Sequence, residues 1–332
     1  MKRRILTACI ALSLFVPTFT FAMQNNTINT QVDALNNQSV STEYVEQKSY
    51  NSKNNKSILS TVPKGIKLED GAKLENLTIS KKYVKIDENG NCLFVTVEEA
   101  KKLKKEKNVT SLESLVDNNK AKEKIKNKLK QEKGMTSKKS NVRTSSYYDH
   151  GTNSLYSITG HLYTYTLSAK NGFNSRAQLV ATFLGLSLLP NGYDNQEDLI
   201  SMIWATDGIM THDGKPYGAV TYTNYSPNPD QTYTVNISGN KNRTEVDGIA
   251  LQFNDRYNTY YVPTSAVLNV IVEKTNKVND VAYAMAELGH TYTNLAVDVL
   301  GFSVSYGGPT FYIEYSYQSG VKKVPVSARF WH

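Results

Sequence analysis

Cysteine is almost absent: the 332 residues hold two, Cys9 and Cys92. That excludes a disulfide scaffold, a cysteine-rich zinc module and an iron–sulfur protein. Histidine is also scarce, at five, with no H-E-x-x-H and no pair at i, i+2 or i+4. The usual zinc-hydrolase spacings are therefore missing, and no metal or cofactor is expected. Gly-x-Ser-x-Gly is absent, so there is no nucleophile elbow. No glycine-rich loop cradles a phosphate at a helix start. Beyond the N-terminus no apolar run approaches the roughly 20 residues of a membrane-spanning helix. Apolar residues make up 39 %, so part of the chain lacks the composition of a packed core.

What is present falls into four stretches. Residues 1–22 begin Met1-Lys2-Arg3-Arg4, continue with an apolar run from Ile5 to Phe15, and end in Thr20-Phe21-Ala22 after Pro17. This is the layout of a secretory signal peptide, with cleavage expected after Ala22 and export to the cell wall or medium. Cleavage leaves Cys92 alone. Lysine outnumbers arginine 31 to 7, and Asn, Ile and Tyr abound. That codon bias suits a low-GC Gram-positive source. Residues 23–62 are mostly Asn, Gln, Ser and Thr without an apolar period, which reads as a disordered polar linker.

Residues 63–143 carry 21 basic and 12 acidic side chains. Tyr83–Asp87 alternates, Glu88-Asn89-Gly90-Asn91 is turn chemistry, and Cys92–Val95 is apolar, which predicts a hairpin. Thr96 with Glu99 forms a capping box that opens a helix. A second helix is predicted from Asn119 to Lys133, and a Ser/Lys/Thr linker follows Gly134. The stretch reads as a small basic α+β module and a candidate pro-region. Asn89-Gly90-Asn91-Cys92-Leu93-Phe94 resembles the nucleophile motif of ovarian-tumour-type cysteine proteases, Asp-Gly-Asn-Cys-Leu-Phe. In that family the cysteine opens a helix. Here Cys92 opens a predicted strand, and no histidine followed by an aromatic residue lies downstream.

Residues 144–332 hold 11 basic and 15 acidic side chains, 19 of the 22 tyrosines and all five histidines. β-branched and aromatic residues alternate through Leu155–Leu167, Ala219–Thr223, Tyr233–Ile237, Ile249–Phe253, Ala266–Val272, Val299–Tyr306, Thr310–Tyr317 and Val324–Trp331. Short Gly/Pro/Asn turns break the runs. The pattern predicts an antiparallel β-sandwich or barrel. Two stretches, Gln178–Leu189 and Asp280–Leu288, read as helices by apolar spacing and alanine content, with buried strands as the alternative.

Two functional classes follow. The leading one is a secreted, non-enzymatic β-domain that binds cell-wall polymers or an anionic membrane surface, in the latter case as an antimicrobial or toxin-like protein. Clustered lysines attract such surfaces. Nucleic acid is not expected, because the chain is exported and no aromatic interleaves the lysines. Tyr260, Tyr261, Tyr315 and Tyr317 are the candidate binding residues, since each ring joins apolar area to a hydroxyl. The alternative is an exported hydrolase using His161 or His212 with a carboxylate such as Asp213. Convergence of His161, His212 and His290 in one cleft would favour the hydrolase, and scattered histidines the binding protein.

Overall fold

Period-two alternation becomes strand throughout the C-terminal stretch. The computed structural model describes residues 39–41, 44–51, 63, 66–86, 92–106, 110–112, 154–186, 197–206, 210–213, 215–224, 232–237, 243–244, 248–254, 261–277, 281–291, 299–305, 310–315 and 321–330. Up to the first long gap these form β1 (Ser39–Ser41), β2 (Val45–Asn51), β3 (Lys73–Ile86), β4 (Cys92–Val95), α1 (Val97–Leu103) and β5 (Thr110–Leu112). Then come β6 (Ser154–Leu167), β7 (Ser175–Leu184), β8 (Glu197–Ala205), β9 (Thr211–His212), β10 (Tyr217–Asn224), β11 (Thr232–Ile237) and β12 (Arg243–Thr244). The chain continues through β13 (Gly248–Asn254), β14 (Tyr261–Lys274), β15 (Ala282–Thr291), β16 (Val299–Ser305), β17 (Thr310–Tyr315) and β18 (Val321–Phe330).

Two mainly antiparallel sheets make a sandwich. The larger runs β1-β2-β3-β6-β7-β14-β10-β11, with β4, β5 and β9 pairing β3, β6 and β14 beside that path. The smaller runs β12-β13-β8-β15-β18, and β16 and β17 pair as a hairpin. Alternate residues of both sheets meet in one core: Leu179 and Phe183 of β7, Leu268 and Val270 of β14, Met202 and Trp204 of β8, Val326 and Phe330 of β18. Each such large side chain contributes about 1.5–3 kcal/mol on burial. Trp204 keeps its indole N–H satisfied by donating to the Met210 carbonyl at 2.7 Å. Gly160 marks the closest approach of β6 to the opposite sheet. A Cβ there would lie 3.0 Å from the Phe183 ring and 3.3 Å from Val326 Cγ1.

The larger sheet also buries part of its outer face. Residues 66–72, here termed the strap, lay Ile66, Leu68 and Ala72 on Leu77, Tyr163, Tyr165 and Val180. Helix α1 lays Val97, Ala100 and Leu103 on Tyr83, Val95 and Leu155. β7 is thus covered on both faces: Gln178 and Val180 are as buried as Leu179 and Ala181. A strand buried on both faces loses its alternation, which is why Gln178–Leu189 reads as a helix in sequence. The structure corrects that reading to β7, and the Asp280–Leu288 helix to β15. In β15 the alanines at 282, 284 and 286 point into the core as the small half of an alternating pattern.

The hairpin of β3 with β4 and the Thr96 cap are as predicted: Tyr83 pairs Val95, and Thr96 Oγ1 accepts from Glu99 N at 3.1 Å. The organisation upstream differs from the reading. Val45–Asn51, inside the stretch read as linker, is a strand paired along β3. β3 in turn pairs β6 from Lys73↔Thr166 to Ile86↔Ser154. One sheet therefore crosses the boundary drawn between residues 143 and 144. The predicted signal peptide, the Asn119–Lys133 helix and the linker after Gly134 lie outside the described residues.

The polar side chains of β3 also close one side of the sandwich. β18 ends the strand order of the smaller sheet, and its carbonyls on that side accept from β3. Asn76 Nδ2 donates to the Arg329 carbonyl at 2.7 Å, Ser80 Oγ to Pro325 at 2.7 Å, and Lys82 Nζ to Lys323 at 2.7 Å. Each step of two or four along β3 matches an equal step back along β18, so these side chains act as the rungs of an antiparallel ladder. Pro325 fits there, because an edge position needs no ladder N–H. Sealing the edge this way also blocks strand addition by another chain.

Candidate functional site

The clearest chemical feature of the surface is basic. Thr96 and the acidic Glu98 and Glu99 open α1, and its buried stripe faces the sheet, so the remaining positions project outward. Lys101, Lys102, Lys104 and Lys105 are all exposed on and just beyond it. Lys104 Nζ stands 4.9 Å from the Tyr83 ring centroid and Lys82 Nζ 4.3 Å from that of Phe94. These cation–π contacts fix the stems. Lys101 pairs Glu98 at 2.8 Å, and Lys48 pairs Glu46 at 3.4 Å. Burial raises the Glu46 carboxyl, but hydrogen bonds from Tyr83 and Lys48 and the charges of Lys48 and Lys81 outweigh it, so its pKa is lowered. The carboxylate stays ionised and tethers Tyr83, whose hydroxyl donates to it at 2.8 Å.

The predicted catalytic residues do not meet. His161 sits mid-strand on β6, paired across to Ile79 and Thr182. Burial, with Lys81 nearby, lowers its pKa to about 4, so it is neutral at pH 7. His212 pairs Val272 on β14 and meets the Trp204 ring edge-on at 6.2 Å. Asp213 follows it, but its Oδ1 accepts from Lys215 N at 2.9 Å and shapes a turn. Of the tyrosine candidates, Tyr261 opens β14 half-buried against the core. Tyr315 ends β17. Tyr260 and Tyr317 lie outside the described residues. Cys92 begins β4, and the helix starts only at Val97, so the protease-like motif has strand geometry.

One titratable pair escaped the sequence reading. His290 Nδ1 lies 2.9 and 2.8 Å from the two Asp198 carboxylate oxygens, and both residues are buried. Nδ1 must carry the proton in that arrangement. The pair joins β15 to β8 next to the Gly289↔Leu199 register. Trp204, beside His212, is six residues further along β8, about 20 Å at ~3.3 Å per residue. Three histidines thus occupy the outer sheet face and opposite ends of the core. Glu287 and His290, three apart on a strand, point to opposite faces.

No protein-family model matches this sequence, and no curated protein sequence matches it. Similarity is found only among solved structures, and it is loose. The collagen-binding domain of a Staphylococcus aureus adhesin aligns at 10 % identity over 50 % of this chain and 95 % of its own, TM-score 0.26. A Streptococcus parasanguinis fimbrial adhesion structure aligns at 10 % over 52 % and 78 %, TM-score 0.23. An enzyme of macrocyclization in alchivemycin A biosynthesis aligns at 10 % over 52 % and 89 %, TM-score 0.22. Adhesion domains and an enzyme appear side by side, so these likenesses do not choose between binding and catalysis.

Proposed function

We propose that the chain is an exported β-sandwich binding protein that docks on anionic polymers of the bacterial cell envelope. The observation that supports this reading is the lysine-rich edge. Lys101, Lys102, Lys104 and Lys105 stand exposed beside Lys48 on one flank of the sandwich. Apart from Lys48, this flank belongs to the stretch with 21 basic and 12 acidic residues, while residues 144–332 are net acidic. Five lysines against Glu46, Glu98, Glu99 and Glu106 leave this flank weakly positive, which steers it toward anionic partners. The scatter of His161, His212 and His290 favours binding over the hydrolase alternative. Export itself is read from the N-terminal pattern. N-terminal sequencing of the secreted protein is expected to begin at Met23.

Co-sedimentation with isolated walls tests the docking. Binding is expected at low salt, with a steep fall as ionic strength rises. The variant K102E/K105E changes two exposed side chains, and it is expected to weaken binding severalfold with an unchanged unfolding transition. Equal binding by that variant, or retention at high salt, would contradict the proposal.

A further inference from the structure

The outer face of the larger sheet holds a second feature, unrelated to the lysines. β6 places His161, Tyr163 and Tyr165 at every second position. Their ring centroids are 6.1 and 6.4 Å apart, with interplanar angles of 26° and 15°. Tyr50 packs against the same cluster. The strap covers the bodies of the two tyrosines but leaves their polar ends unused. No described residue hydrogen-bonds the hydroxyl of Tyr163 or Tyr165. His161 Nδ1 is buried without a partner. A buried polar atom left unpaired costs about 1–3 kcal/mol.

The strap is attached in an unusual way. It forms no strand ladder with the sheet below and is held by side chains. Arg176, itself buried, donates to both Glu69 oxygens at 2.9 and 2.8 Å, to Glu273 at 2.8 Å and to the Ser168 carbonyl at 3.0 Å. Gln178 accepts from Glu69 N at 2.9 Å and donates to the Lys67 carbonyl at 3.1 Å. The strap ends in a turn that needs Gly71 at φ +79°. It belongs to residues 52–72, which join two adjacent antiparallel strands, where about 2–5 residues suffice.

We infer that the strap is a displaceable cover over a carbohydrate-binding strip made by Tyr163 and Tyr165, with His161 at its end. The ring bodies offer apolar area for a sugar ring. The hydroxyls and the imidazole both donate and accept, as sugar hydroxyls do. The strip is uncharged: burial keeps His161 neutral and raises the pKa of both tyrosines. It therefore suits neutral sugar units and not anionic groups. The inference rests on the envelope reading only for the source of the glycan, and not on the basic edge.

The test uses the full chain with two soluble probes, an N-acetylglucosamine tetramer and maltotetraose, in titration calorimetry. Glu69→Gln loosens the latch without touching the strip, and it is expected to bind at least one probe several-fold more tightly than the parent chain. Adding Tyr163→Phe and Tyr165→Phe keeps the rings and removes the hydroxyls. Affinity is then expected to fall about fivefold to tenfold per hydroxyl. Thermal unfolding confirms that each variant is folded. High salt is expected to leave this binding unchanged, and K102E/K105E to retain it while losing wall binding. The inference is overturned if the Glu69→Gln variant binds neither probe, if the Phe variants bind as well as their parent, or if salt abolishes binding.

Discussion

Ser80→Ala probes the seam between β3 and β18, where residues 245 positions apart in sequence meet. Ser80 is fully buried, and its hydroxyl donates to Pro325 O at 2.7 Å. Removing it loses a hydrogen bond worth about 0.5–1.5 kcal/mol net and leaves an edge carbonyl without its donor, for a total of about 1–3 kcal/mol. Lys82→Met loses the ammonium, and with it both the bond to Lys323 O and the contact over Phe94, so about 1.5–3 kcal/mol is expected. Asn76→Ala is expected to cost least, because that bond is exposed and water replaces it. The assay is urea unfolding followed by tryptophan fluorescence. Both tryptophans, Trp204 and Trp331, lie in the C-terminal stretch. A loss of ~2 kcal/mol shifts the midpoint by about 1 M at a slope near 2 kcal/mol/M. If β3 belonged to a separate module, Ser80→Ala would leave the tryptophan transition in place, and that result would refute the seam.

Three further outcomes follow from the geometry. Arg176→Met strands Glu69 and Glu273 around an apolar side chain. It is expected to cost about 2–4 kcal/mol in the same unfolding assay, somewhat under the 3–5 of a fully buried pair because both carboxylates reach solvent. His161 has its pKa lowered from 6.5 to about 4, so as pH falls the unfolded chain takes up the proton first. Stability is then full above pH 6.5, declines toward pH 4 by at most about 3 kcal/mol, and stops declining on this account below that. His161→Gln is expected to flatten that slope between pH 6.5 and 4.5. A trypsin cut between residues 113 and 150 is expected to give two bands on a denaturing gel that still co-elute on gel filtration.

Part of the sandwich was legible because strands such as β14 and β18 alternate buried and half-exposed positions. Leu155–Leu167 and Ala266–Val272 alternate plainly and became β6 and β14. The Thr96 box was legible because a cap is local chemistry. β7 and β15 were misread for physical reasons: one is buried on both faces, and the other fills its core face with alanine. The pairing of β3 with the C-terminal strands was not legible because β3 turns Asn76, Ser80 and Lys82 toward β18. Polar residues there read as surface until the β18 carbonyls that receive them are in view. The His290–Asp198 pair spans 92 positions, and only the β8–β15 register brings it together. The strap lies near the start of the stretch that reads as a basic module. Nothing local in Ile66–Ala72 signals the Arg176 that holds Glu69 from 107 residues away.

Docking through the basic edge is decided by hydrogen exchange of the full chain with and without an anionic wall polymer. Binding through the edge predicts slowed exchange in α1 and the adjoining turn at Lys104 and Lys105, with β8, β13 and β15 unchanged. Protection centred on β8, β13 and β15 instead, or no protection of α1 under conditions where the polymer is bound, would contradict it.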